Sequence, residues 1–123
     1  MSEIRATTIS DAAGTGPISL TGQSAAKAWV HFNQTSPSVE DSFNISSVSD
    51  NSAGNSTNNF SNNMANANYS ETVSAVDEGV SFMFATMDIL TVSSCNTVTF
   101  RNTNTTTTID GNTVCTTIHG DLA

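Results

Sequence analysis

The sequence predicts an all-β fold, a small antiparallel sandwich or jelly-roll-like domain that follows an extended N-terminal arm. Three observations carry this reading. Apolar and polar residues alternate with the two-residue period of half-buried strands in several short runs, as where Phe43 and Ile45 oppose Asn44, Ser46 and Val48. Asn, Ser, Asp and Gly cluster between these runs, and such residues take left-handed conformations or hydrogen-bond their own backbone where strands reverse. Uncharged Ser, Thr and Asn fill a chain with only 11% charged residues, two prolines and recurring β-branched and aromatic side chains. That composition suits ordered strands and loops better than disorder, which usually comes with Pro or charge.

Taken in order, residues 1–24 read as the arm. Ile4, Ile9, Ile18 and Leu20 are spaced by small polar residues, and Gly14, Gly16 and Pro17 break any helix. With too few apolar residues to fold alone, the arm is expected to serve docking or oligomerisation. Residues 25–123 form the β-rich head domain. Within AAKAWVHFN at 25–33, Trp29 and His31 share one face of a strand and Ala28, Val30 and Phe32 the other, as in a strand covered on both sides. The alanine-rich flank leaves a short helix as the alternative.

Residues 42–70 read as a strand through 43–48, a turn over 49–58, a short strand around Phe60, a turn over 62–68 and a further strand opening at Tyr69. That strand runs to Val76 and a turn at Asp77, Glu78 and Gly79. VSFMFATM and DILTVSS then form the most apolar part of the chain, with Phe82 and Phe84 on one side and Met83, Ala85 and Met87 on the other, and are the candidate core. Residues 95–102 make a strand with Val98 and Phe100 on one face and Thr97 and Thr99 on the other. Asp110 and Gly111 signal a two-residue hairpin between TTTTI and NTVCTTIH.

The 123 residues fit one domain. Eleven acidic residues against three cations, Arg5, Lys27 and Arg101, give a formal net charge of -8. Scattered cations argue against nucleic acid, whose phosphates need clustered Lys or Arg, and against an anionic membrane surface. No apolar run approaches the ~18 residues of a membrane span, and the first residues lack the basic start and apolar region of a secretory signal.

Candidate chemistry is sparse. Cys95 and Cys115, the two cysteines, flank the expected hairpin and are a possible disulfide, worth roughly 3 kcal/mol for a loop of about 20 residues. Adjacent-strand geometry is often poor for such a bridge, which favours free, partly buried thiols instead. Neither has a local cation to activate it. His31 and His119 show no His-x-His spacing, so a zinc site would need both histidines and both cysteines gathered by the fold; no metal and no cofactor are expected. Glu40 with Asp41, and Asp77 with Glu78, are neighbours in expected turns rather than a carboxylate pair across a cleft. With no GxSxG motif and no calcium-loop spacing, no catalytic residue is assigned and an enzyme is not expected.

LTGQSAAKAWVHFN, DSFNISSVSDN and NFSNNMANANYS, in this order and over about half the chain, resemble a module of structural proteins of tailed bacteriophages, notably tail fibres and other virion appendages. The NSTNNF segment departs from the family's alternation of apolar and polar residues, since Phe60 is its single apolar residue. The resemblance implies a place on the virion surface, in tail or head, after assembly in the bacterial cytoplasm, and brings no catalytic residues. The expected function is a bacteriophage virion structural protein, a small homotrimeric tail fibre or receptor-binding tip. Its arm would hold other virion proteins, and its Asn and Thr loops would meet host surface glycans through three-fold valency. The alternative is a capsid decoration, or cement, protein on the outer head surface, favoured by the lack of a long shaft. A non-viral glycan-binding module is a third class.

Overall fold

The computed structural model describes residues 25–77, 79, 83–102 and 106–123. The expected arm, Glu78 of the expected turn and Phe82 of the candidate core lie outside the described residues. Those described form nine strands and no helix: β1 (Ala28–Asn33), β2 (Ser38–Phe43), β3 (Ile45–Ser52), β4 (Asn55–Phe60), β5 (Ser70–Val76), β6 (Met83–Leu90), β7 (Ser94–Asn102), β8 (Thr106–Thr108) and β9 (Thr113–His119). Every pairing is antiparallel. One sheet, A, has the order β2-β1-β9-β5; the other, B, has β3-β4-β7-β6, with β8 also paired to β7. The fold is an all-β sandwich.

Two-residue alternation decides what each central strand turns inward. Ala28, Val30 and Phe32 of β1 are buried, as are Val114, Thr116 and Ile118 of β9, Ser56, Asn58 and Phe60 of β4, and Cys95, Thr97 and Thr99 of β7. The apolar part of this interior gathers Ala28, Phe60, Met64, Tyr69, Cys95 and Ile118, with Ile45, Leu90 and Leu122 packed against it. Phe60 and Tyr69 meet edge to face, with centroids 5.8 Å apart and rings inclined at 75°. The loop after β4 closes over them: Met64 N–H donates to Val92 O at 2.8 Å, and Met64 forms a bridge with Leu122.

The segment 43–48, expected as one strand, is two. Asn44 adopts φ 55° and carries the chain from sheet A into sheet B. Asparagine is among the few residues that tolerate this left-handed conformation, and its amide is fully used. Its Nδ2 donates to Lys27 O (3.0 Å) and Asn62 O (3.1 Å), while its Oδ1 accepts from Asn62 N (2.8 Å) and Asn62 Nδ2 (3.0 Å). The expected long turn over 49–58 contracts to Ala53 and Gly54, because hydrogen-bonding polar side chains extend β3 and β4 on either side. At Gly54, φ is 70° and any Cβ would collide with the Thr99 carbonyl oxygen.

Two further expectations fail. The candidate core from VSFMFATM to DILTVSS is a sheet edge: β6 pairs only with β7, and Phe84, Met87 and Ile89 are about half exposed. Apolarity there reflects an uncovered surface. Nor do Asp110 and Gly111 join a hairpin. β8 pairs with β7 in sheet B, whereas β9 inserts between β1 and β5 in sheet A, so the two residues carry the chain between sheets. Asp110 Oδ1 accepts the Gly54 N–H at 2.6 Å, which pins this crossing to the β3–β4 turn.

Replacing Asn44 with Ala removes the four side-chain bonds and leaves a strained φ, so urea unfolding should report a loss of about 2 to 3 kcal/mol. Asn44→Gly keeps the backbone freedom and should lose about 1 kcal/mol less.

Candidate functional site

The chemistry-bearing side chains fall into two places, the polar half of the interior and the outer faces of the sheets. Inside, seven polar residues are buried among those described: Gln34, Ser56, Asn58, Glu71, Thr97, Thr99 and Thr116. Gln34 follows β1, and its amide bridges the sheets at one end. Its Oε1 lies 2.8 Å from Thr99 Oγ1 and accepts the Gly111 N–H at 3.0 Å, and its Nε2 donates to Ser56 Oγ at 3.3 Å. Deeper in, Asn58 Nδ2 donates to Thr97 Oγ1 at 3.1 Å, and that hydroxyl lies 3.1 Å from Thr116 Oγ1 and 3.2 Å from Glu71 Oε1.

Glu71 is the exception to this pairing. Its residue is 8% exposed, and its Oε2 is buried without a partner. Desolvation pushes its carboxyl up to about 7, against the lowering effect of hydrogen bonds from Thr97 and Cys95. The Cys95 thiol is pushed up to about 12, mainly by burial and next by the Glu71 charge. The Tyr69 hydroxyl, 3.0 Å from Thr91 O and 2.9 Å from Ser94 O, is likewise raised, first by burial and then by Cys95 and Glu71. Glu71 therefore titrates near neutral pH, whereas the Cys95 thiol and the Tyr69 hydroxyl are held neutral there. A nucleophile needs the reverse.

On the outer face of sheet A, the register aligns Asp41, His31, Cys115 and Ser74 across β2, β1, β9 and β5. Beside them run Phe43, Trp29, Thr117 and Thr72, and at the end of β9 His119 stands opposite Ser70. The two histidines are thus on one face with Cys115, whereas Cys95 points into the interior from sheet B. Among the described residues no group of three or more His, Cys, Asp or Glu could hold a metal ion. Both cysteines are free thiols. Of the acidic neighbours, Glu40 occupies the bulged part of β2 and accepts from Ser38 Oγ at 2.7 Å, while Asp41 accepts the Ser42 N–H at 2.8 Å.

The outer face of sheet B is divided. Across β3, β4 and β7 it is a ladder of amides and hydroxyls. Asn51 Nδ2 donates to Thr57 Oγ1 (2.8 Å), Thr57 Oγ1 donates to Asn96 Oδ1 (2.8 Å), and Asn59 Nδ2 donates to Ser47 Oγ (3.1 Å). Toward β6 it becomes apolar, with Phe84 and Phe100 stacked at 5.6 Å. Compared with protein-family models, curated proteins and solved structures, the chain matches none. Its function therefore has to be argued from the geometry of these faces and of the interior.

Sequence reasoning missed the polar interior. It identified the two faces of the β7 strand but not that Thr97 and Thr99 form the inner one. Glu71 passed unnoticed because it stands alone, yet a signal exists: in SETVSAV it shares the face of Val73 and Ala75. A carboxylate on the apolar face of a strand is a candidate for burial.

Truncating Gln34 to Ala would strand the Gly111 N–H and the Ser56 hydroxyl, while the Thr99 hydroxyl keeps the Ile109 carbonyl, and thermal or urea unfolding should show a loss of about 2 to 3 kcal/mol. In native protein a thiol reagent should modify Cys115 alone; Cys95 should react only once denaturant is added.

Proposed function

We propose that the chain is a bacteriophage virion structural protein, a small homotrimeric tail fibre or receptor-binding tip, displayed on the virion surface after assembly in the bacterial cytoplasm. The observation that carries this reading is the apolar edge strand of sheet B, which exposes large side chains on both of its sides, Phe84 opposite Phe100 on the outer one and Met87 opposite Thr97 on the inner one. Phe84 (48%), Met87 (44%) and Ile89 (55%) on β6, with Val92 (42%) beyond it, leave large side chains in water on a chain of formal net charge -8. Exposed apolar surface of this kind marks an interaction face, and further copies of the same chain are its proposed occupants.

The rest of the molecule supports the same reading. Its interior holds the Cys95 thiol and the Tyr69 hydroxyl in their neutral forms, so neither is activated as a nucleophile. The Asn, Ser and Thr ladder beside that strand offers fixed donors and acceptors of the type that glycans accept, at low affinity per copy, and three copies supply avidity. The three phage-like segments add the virion context, and residues 1–24 would reach other virion proteins.

Light scattering of purified protein at micromolar concentration should give a trimer mass, and Phe84→Asp should shift it to monomer while circular dichroism stays β-rich. Immunogold electron microscopy of particles should place label at the tail in a few dozen copies or fewer. Label over the head in hundreds of copies would replace the fibre reading with capsid decoration. A monomer that labels no particle would overturn both.

A further inference from the structure

Among the described residues two buried side-chain atoms lack a hydrogen-bond partner, Asn112 Oδ1 and Glu71 Oε2, and of these only Glu71 belongs to an ionisable group. It is carried by β5, the outermost strand of sheet A, which pairs with β9 alone. Its neighbours on the inward face of β5 are the small Val73 and Ala75, each partly buried. The carboxyl crosses the gap between the sheets to Thr97 of β7 at 3.2 Å, with Thr116 of β9 and Asn58 of β4 bonded to that same threonine hydroxyl. The titratable groups that face it are Tyr69, just ahead of β5, and Cys95 of β7, and both would add negative charge on ionising. His31, Cys115 and His119 stand on the outer face of sheet A, away from it, and Asp88 of β6 is exposed. No cation among the described residues is bonded to it to stabilise a carboxylate.

A buried carboxylate without a counter-charge is strongly disfavoured, whereas the neutral acid asks for only one or two hydrogen bonds. The place in the fold where the carboxylate reaches water with the least disruption is the β5 edge, since there one ladder, β5–β9, and the packing of β5 against β6 have to part. We propose that Glu71 is a proton-controlled latch: protonated, it lets β5 close against sheet B, and its ionisation releases the β5 edge from the sandwich.

The direction follows from linkage. The folded-state value of about 7 lies above the ordinary 4.5, so the folded form binds the proton more tightly than the unfolded chain. The contribution of Glu71 to stability is full below about pH 4.5, declines as pH rises toward about 7 and is gone above it. The latch therefore holds in acid and opens in base. It stands whether the particle role proposed above is right or wrong, because it depends only on the interior.

The test compares the full chain with Glu71→Gln, which keeps the shape and cannot ionise. Between pH 4.5 and pH 8, urea unfolding should show the wild-type folding constant falling relative to that of the variant, on the order of 100-fold. A difference that does not change with pH overturns the latch. Hydrogen exchange at pH 8, referred to the β1 amides of the same sample, should be faster across residues 70–76 in wild type than in Glu71→Gln; equal protection of β5 overturns it as well. Should the variant fail to fold, carbon-13 NMR of the wild-type Glu71 carboxyl decides. A midpoint near 7 supports the latch, and one near 4.5 overturns it.

Discussion

The constraint on which this sandwich depends is that half of its interior is polar and must be satisfied from within. Where a hydrophobic core would press Val or Leu from each sheet together, Gln34, Glu71 and Thr116 on the side of sheet A meet Ser56, Thr97 and Thr99 of sheet B through amide, carboxyl and hydroxyl groups. Each bond contributes little net stability, but each unmade bond would leave a desolvated group at a penalty of one to several kcal/mol. The relative position of the sheets is therefore set by directional contacts through Gln34 and Thr97, and less by the volume of apolar side chains. Hydrogen bonds have fixed lengths and angles, so such an interior admits fewer alternative packings than a greasy one.

The same constraint explains what could and could not be read from the residues. Strands with two-residue alternation were legible at β1, β5 and β7, as was the overall class of fold. The assignment of inner and outer faces failed wherever it rested on apolarity alone. At β6 the most apolar segment lies at an edge, because the positions that a core would fill are already occupied by threonines of β7. At β4, residues 55–58 read as part of a turn and the strand as a short one around Phe60, yet the whole of NSTNNF is a strand in the middle of sheet B. Its Ser56 and Asn58 go inside because partners wait for them there, and partners across a sandwich are not visible along the chain. Tight turns were misjudged for a related reason. Asn44 reads as a residue inside a strand and Asp110 as half of a two-residue hairpin, but both sit at crossings between sheets, held by side-chain bonds to residues 18 and 56 positions away.

The acidic character of the chain is likewise divided between surface and interior. Asp41, Asp50 and Asp88 are exposed, where carboxylates are solvated, and contribute to the net charge that keeps a protein with exposed phenylalanines in solution. Glu71 is of the other kind. A single carboxyl placed on an edge strand converts a local proton equilibrium into a property of the whole sheet edge.

The position of β9 has an implication for how the chain reaches this state. β9 lies between β1 and β5, so two strands made early, separated by some 40 residues, have no shared partner until a segment near residue 113 arrives. Before then β1 offers one bare edge beside the β1–β2 hairpin and β5 offers two, each with unpaired amides and carbonyls. Folding of sheet A is thus a late, long-range event with a high entropic barrier, and the waiting edges are templates for strands of other molecules. Production at high concentration sets correct closure in competition with intermolecular pairing, and the outcome turns on how soon residues 113–119 are released to fill the gap.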